Sequence, residues 1–147
     1  MKQFKKIVLT GASGRLGSYL REPLSYKAEK LVSLDINPIG KTLKNEQFEL
    51  ADLSNYAEIE RVLEGANVVV HFAALSNEGP FEKILEANIV GAFNIWKAAQ
   101  EHRIKRIIFA SSIHSVGMHK STSMTNSNVM HRPDTFYGLS KCFGEDL

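Results

Sequence analysis

Four short, largely apolar runs punctuate the chain: Ile7-Val8-Leu9, Leu31-Val32-Ser33-Leu34, Val68-Val69-Val70 and Ile107-Ile108-Phe109-Ala110. None alternates apolar and polar residues at period two, as a strand with one solvated face would. Continuous β-branched runs of this length suit strands buried on both faces of a parallel sheet. A weaker candidate, Gln47-Phe48-Glu49-Leu50, fits between the second and third helical segments. Strands that alternate with helical segments predict βαβ units with right-handed crossovers. The expected fold class is α/β, a doubly wound parallel sheet with helices on both faces.

The most informative helix signal runs from Pro80 to about His102, with Pro80 where its missing N–H costs nothing. Phe81, Ile84, Leu85, Ala92, Ile95 and Ala99 form an apolar stripe at helical spacing, and Asn88 interrupts it. A polar residue on a core face needs a partner. Residues 116 to 134 have no hydrophobic period and read as a long loop, a kind of segment that is usually functional or disordered. No internal repeat or second-domain boundary is visible, so residues 1–147 are expected to form one domain.

Composition narrows the function classes. The 147 residues are 44% hydrophobic and 23% charged, with a formal charge of +2, too small to favour nucleic acid or anionic membrane as a partner. The single cysteine, Cys142, excludes an internal disulfide framework and any multi-cysteine zinc site. No run approaches the roughly 20 apolar residues of a membrane helix, and the N-terminus lacks the apolar region of a signal peptide. A cytoplasmic location is the expectation. His114, His119 and His131 flank a loop without convergent ligands, so no metal site is expected. Cys142 reads as a small buried helix residue, Trp96 as a core or interface residue, and Lys2, Lys5 and Lys6 as a solvated edge.

Thr10-Gly11-Ala12-Ser13-Gly14-Arg15-Leu16-Gly17 follows the first strand and opens a helix whose apolar face is expected to be Leu16, Leu20 and Leu24. Glycines here allow a tight turn, bring backbone N–H groups against a pyrophosphate and let the helix pack closely on the strand. The spacing is Gly-x-x-Gly-x-x-Gly, rather than the commoner Gly-x-Gly-x-x-Gly. Asp35 follows Gly17 by eighteen residues at the end of the second strand, where its carboxylate can accept hydrogen bonds from ribose hydroxyls and would repel a 2′-phosphate. NAD is therefore expected over NADP. A turn aspartate ahead of Asn37-Pro38 is the alternative. Asp52-Leu53 could hold the adenine edge, or Asp52 could lead into a helix cap at Ser54-Asn55.

Tyr137 and Lys141 fall at i and i+4 on a helix for which Asp134 is a plausible cap. A free phenol is a poor base at neutral pH, and an ammonium one turn away favours the phenolate. Ser112 lies twenty-five residues earlier, beyond the fourth apolar run, at the carboxyl edge of the sheet where doubly wound folds bind ligands.

The glycine loop, Asp35, Asn88, Ser112 and Tyr137-x-x-x-Lys141, in this order, resemble the short-chain dehydrogenase/reductase superfamily, in particular its extended NAD-dependent epimerase/dehydratase branch. The resemblance implies a Rossmann fold with NAD held by Gly11, Ser13, Gly14, Arg15, Leu16, Gly17, Asp35, Ile36, Asp52, Leu53, Ala73, Ala74 and Lys141. It implies that Tyr137 is the acid/base, that Lys141 tunes it and holds the nicotinamide ribose, that Ser112 orients the substrate, and that Asn88 supports a proton-relay water.

Three further segments, Pro80 to Ile89, Lys105 to Ser112 and Arg132 to Lys141, look like the uronate dehydrogenases of that branch. Members oxidise the anomeric carbon of a hexuronic acid to an aldarolactone, and by resemblance Ser76, Ser112, Ile113 and His114 contact the sugar acid. Ile113 stands where the family has asparagine, which removes donors and an acceptor from a site that reads hydroxyls and a carboxylate. Family members also continue beyond the Tyr-x-x-x-Lys helix, so a truncated version, a fragment or a partner-completed enzyme is expected. A nucleotide-sugar epimerase or dehydratase and a non-catalytic dinucleotide-binding remnant are the rival expectations, and a homo-oligomer is the expected assembly.

Overall fold

The computed structural model describes residues 2–147. Five strands, β1 (Phe4–Thr10), β2 (Ala28–Asp35), β3 (Glu46–Leu50), β4 (Val68–His71) and β5 (Arg106–Phe109), form one sheet in the order β3-β2-β1-β4-β5. Every neighbouring pair is parallel, with Val8 opposite Val32 on one side and Val69 on the other. The chain winds outward from β1 to β3, then crosses back past β1 to lay down β4 and β5. The neighbours β1 and β4 thus mark the point where the winding reverses, and ligands of such sheets bind outside the strands' carboxyl ends there.

Alternation within the central strands feeds two cores. Ile7, Leu9, Leu31, Val68 and Val70 face α1 (Arg15–Lys27), whose Leu20 and Leu24 pack on them. Val8, Val32, Leu34 and Val69 face the other way and bury Ile59 and Leu63 of α2 (Tyr56–Leu63) together with Ile95, Ala98 and Ala99 of the helix that follows β4. Each such aliphatic side chain taken wholly from water contributes about 1.5–3 kcal/mol. Charged groups cross-link the outer layer: Glu46, its side chain fully buried, accepts from Arg21 Nε at 2.7 Å and from Ser33 Oγ at 2.5 Å. That network holds α1 against β2 and β3.

The region after β4 departs from a single helix. It consists of a one-turn α3 (Phe81–Ile84), a π-helical turn (Leu85–Val90) and α4 (Gly91–Glu101). Ile84, Ala92, Ile95 and Ala99 are buried as the stripe requires, whereas Phe81 and Leu85 are exposed. Phe81 instead meets Phe136, with ring centroids 5.1 Å apart.

Beyond β5 come a 3-10 turn (Ile113–Val116), an irregular segment and α5 (Phe136–Asp146). The irregular segment is closed at its base by Met118 N–H to Arg132 C=O and Arg132 N–H to Ser115 C=O, both 2.9 Å. Thr135, not Asp134, caps α5: its Oγ1 accepts from Gly138 N–H, while the Asp134 carboxylate turns to His114. Leu16 is also displaced from its expected place, since Gly17 rather than Leu16 faces the strand, leaving Leu16 60% exposed. Lys6 is no free edge residue; its Nζ donates to the carbonyls of Val62 and Glu64 and caps the end of α2. Cys142 is buried and Trp96 packs against the α2/α4 core.

Candidate active site

The carboxyl ends of all five strands open onto one cleft of about 830 Å³. At the reversal point the chain is packed too closely for any side chain at two positions. A Cβ on Gly11, which has φ +75°, would lie 2.6 Å from the backbone nitrogen of Ala73, and one on Gly17 would lie 1.9 Å from the Gly11 carbonyl oxygen. These contacts press the β1–α1 turn against the end of β4. Gly14 sits at the α1 N-cap in extended conformation and supplies no side-chain acceptor, and the first turn of α1 carries no acidic residue. The helix N-terminus therefore presents N–H groups and positive dipole to whatever anion enters the cleft.

Thr10 and His71 join the same two strand ends. The Thr10 hydroxyl accepts from Ala73 N–H at 3.1 Å and shares a hydrogen bond of 2.7 Å with Nδ1 of His71. Burial, with Lys141 nearby, pushes His71 down to about 3, so the imidazole is neutral. Its ring stacks on Phe109 and meets the edge of Trp96.

The Asp35 carboxylate is held by two backbone donors, Ser13 N–H at 2.9 Å and Asn37 N–H at 3.0 Å, and lines the cleft beside Ile36. Fixed so, it presents acceptors at a defined place. Asp52 lines the cleft, and its Oδ1 accepts from the Ser54 N–H and hydroxyl ahead of the Asn55 cap of α2, the lead into a helix cap that was the alternative expectation. Leu53, also a lining residue, is fixed by Asn94, whose Nδ2 donates to the Leu53 and Ser54 carbonyls.

At the other end, Tyr137 and Lys141 reach the cleft from one face of α5, with Ala73, Ala74 and Ser76 arriving from the β4 side. Lys141 is 4% exposed, and burial lowers its ammonium to about 8. Its Nζ lies 5.4 Å from the Tyr137 ring centroid and 4.9 Å from that of Phe109. No carboxylate stands within ion-pairing distance of it among the described residues. A buried ammonium with no anion in reach keeps its donors for a ligand's hydroxyls.

Several sequence-selected residues stand apart from the cleft lining. Gly11, Ser13, Gly14, Arg15 and Leu16 line it, but Gly17 lies beneath the turn. Asn88 is buried in the π turn, where Oδ1 accepts from Leu75 N–H at 2.7 Å and Nδ2 donates to the Leu75 carbonyl and to Ser140 Oγ, each at 3.0 Å. Through these bonds its amide braces the cleft wall. Ser111 lines the cleft and Ser112 does not. Ser112 caps the 3-10 turn, its Oγ accepting from His114 N–H at 3.2 Å, and Ile113 is 83% exposed. His114 pairs with Asp134 at 2.8 Å, which holds that carboxyl below its usual range, and its ring lies 5.9 Å from Tyr137. Lys83 and Glu86 line the cleft without having been expected there; both lie on the exposed side of an apolar helix pattern, where polar residues carry no distinctive signal.

A crevice of this construction is the mark of the dinucleotide-binding class of doubly wound proteins. The chain belongs to the NAD dependent epimerase/dehydratase family, whose description matches residues 7–147. It is similar to the uronate dehydrogenase of Pseudomonas putida, 42% identical over 145 residues that cover 98% of this chain and 54% of the relative. Among solved structures it resembles uronate dehydrogenase from Agrobacterium tumefaciens in a variant complexed with NAD, with a TM-score of 0.93 and 39% identity over 97% of this chain and 54% of that one. The glucuronic acid dehydrogenase of Chromohalobacter salexigens superimposes with a TM-score of 0.94 at 36% identity, again over 97% and 54% of the two chains. The chain thus spans about half the length of the curated relatives it matches.

Proposed function

We propose that residues 1–147 form the NAD-binding and catalytic portion of an oxidoreductase acting on a sugar acid, of the uronate dehydrogenase kind. The observation that carries this reading is the shared cleft: Tyr137 and Lys141 line the same cavity as Asp35 and the uncapped N-terminus of α1. The glycine turn and that helix N-terminus suit the pyrophosphate of a dinucleotide, and the fixed Asp35 carboxylate suits unphosphorylated ribose hydroxyls, so NAD fits better than NADP. When bound, NAD supplies the hydride acceptor.

In this reading Tyr137 takes the proton of the anomeric hydroxyl. Lys141 stabilises the phenolate that accepts this proton and becomes the neutral phenol, and Ser112, which already accepts from His114 N–H, keeps its own proton to donate to the substrate oxygen. Ser76 and His114 stand on the sugar side. Asn88 acts by bracing Leu75. Orientation of the sugar carbon against the cofactor supplies the rest of the rate.

The substrate assignment is the part that Ile113 challenges, and it favours keeping a nucleotide-sugar epimerase or dehydratase as the second reading. One assay separates them. Hexuronic acids should produce NADH in proportion to sugar consumed; turnover of nucleotide sugars without net NADH selects the second reading, and NAD binding without either selects a non-catalytic module. A homo-oligomer belongs to the same proposal, with the exposed Phe81, Phe93, Phe136 and Leu139 on α3, α4 and α5 as the surface that association would cover. So does a cytoplasmic site of action, where NAD is supplied.

A further inference from the structure

Helix α5 presents Tyr137 from its first turn, the part of a helix that has least internal support. The first N–H groups of any helix lack intrahelical partners. In α5 those of Phe136, Tyr137 and Gly138 are satisfied, two of them from far away in sequence. Thr135 Oγ1 accepts from Gly138 N–H at 2.9 Å, while the carboxylate of Glu78 accepts from Phe136 N–H at 3.3 Å and from Tyr137 N–H at 2.9 Å. Glu78 belongs to the segment that leaves β4 and carries Leu75 and Ser76 along the cleft wall. Its negative charge is well placed at a helix N-terminus, and charge-assisted hydrogen bonds are roughly twice as strong as neutral ones.

We propose that Glu78 is a positioning residue for Tyr137, tying the first turn of α5 to the Ser76 segment so that the phenol and the sugar-side wall keep one fixed relation. The proposal rests on the reading of Tyr137 as the acid/base. The tie is separable from the fold, because the remainder of α5 is anchored independently. Ser140 is bound by Asn88, and Cys142 Sγ donates to the Ser115 carbonyl. Glu78 is itself exposed, so its removal leaves no cavity. Loss of the carboxylate returns two N–H groups to water and frees the turn that carries the base, while the cofactor end of the cleft, held by Gly11, Thr10 and Asp35, is untouched.

The test compares Glu78→Ala, Glu78→Gln and Tyr137→Phe in the full chain, reading amide hydrogen exchange, NAD affinity, melting temperature and NADH formation from a hexuronic acid. Glu78→Ala should speed exchange at Phe136 and Tyr137 by tenfold or more while leaving Ser140 to Gly144 protected. It should lower kcat by a similar factor with NAD affinity and melting temperature close to the parent. Glu78→Gln retains an acceptor oxygen and should restore most of both. Unchanged exchange at Tyr137 in Glu78→Ala overturns the proposal whether or not turnover is measured. A parental kcat for Glu78→Ala beside an inactive Tyr137→Phe overturns the proposal alone, whereas full activity in Tyr137→Phe overturns the reading on which it stands.

Discussion

The two ends of the cleft are built from different materials. At the end formed by β1, β2 and β4, contacts are made by backbone and by short buried side chains: Gly11 against Ala73, Gly17 against Gly11, Thr10 between Ala73 and His71, Asp35 on two peptide N–H groups. At the end formed by the 3-10 turn and α5, the chemistry hangs from side chains on short or irregular elements, with Ile113 and Phe136 exposed and His114 reaching only to Asp134 and Tyr137. A parallel sheet fixes the positions of its strand ends through every neighbouring strand; a turn beyond the last strand has no such scaffold. The first end is accordingly suited to a ligand common to a whole family, and the second to one that varies within it.

The largest expected effect breaks the rigid end. Gly17→Val places a Cβ where 1.9 Å separates it from the Gly11 carbonyl, with only backbone to yield. It should cost about 3 kcal/mol or more of stability, as severe overpacking does, and remove NAD binding with it. Thermal melts and calorimetry check both. Next comes Tyr137→Phe at the other end, which keeps the ring and its contact with His114 but removes the proton acceptor. NADH formation should fall by about 10²-fold or more, as for loss of a general base, with NAD affinity unchanged.

Lys141 sharpens the comparison because it serves function at a cost in stability. Its ammonium is lowered from 10.5 to about 8 by burial, so the folded chain holds the charged form less well than the unfolded chain does. Between about pH 8 and 10.5 the unfolded state binds more protons, and this group's contribution makes stability rise with pH across that window; below it, the charged lysine costs roughly 3 kcal/mol. Lys141→Met should therefore melt higher at neutral pH, lose the rise above about pH 8 and be catalytically impaired. A lower melting temperature would show that the ammonium has a stabilising partner. The smallest effect falls on the least supported residue. Ile113→Asn, at an 83% exposed position, should change stability by less than about 0.5 kcal/mol and lower KM for a hexuronic acid several-fold, with NAD affinity constant.

The same division governs what the sequence revealed. Strands with both faces buried must be apolar throughout, so β1, β2 and β4 were legible within a few residues; β5 was legible from its apolar run although it is an edge strand with Arg106 and Ile108 exposed, not one buried on both faces as expected, and β3, the other edge, was recognisable at a weaker level because it carries polar side chains. The glycine turn, Asp35, Tyr137 and Lys141 were legible because their chemistry demands particular residue types at fixed offsets. The π turn was not, since Leu85 to Val90 has ordinary helical composition; within it Asn88 bonds to Leu75 and Ser140. Ser111 joins the lining unannounced, because a turn one residue beyond a strand sets which residues border the cleft, and no periodicity extends that far. Glu78 and Asn94 were invisible for a similar reason: each works through a partner 40 or more residues away, as a backbone hydrogen bond that any sequence could offer.

The central claim is that the strand-end half of the cleft is a NAD site defined by the glycine turn and Asp35. Calorimetric titration of the chain with NAD and with NADP tests it most directly. NAD should bind at one site per chain and at least about tenfold more tightly than NADP, the discrimination expected when a fixed carboxylate accepts from ribose hydroxyls and repels a 2′-phosphate. Equal affinities, or no binding of NAD at all, would contradict the account.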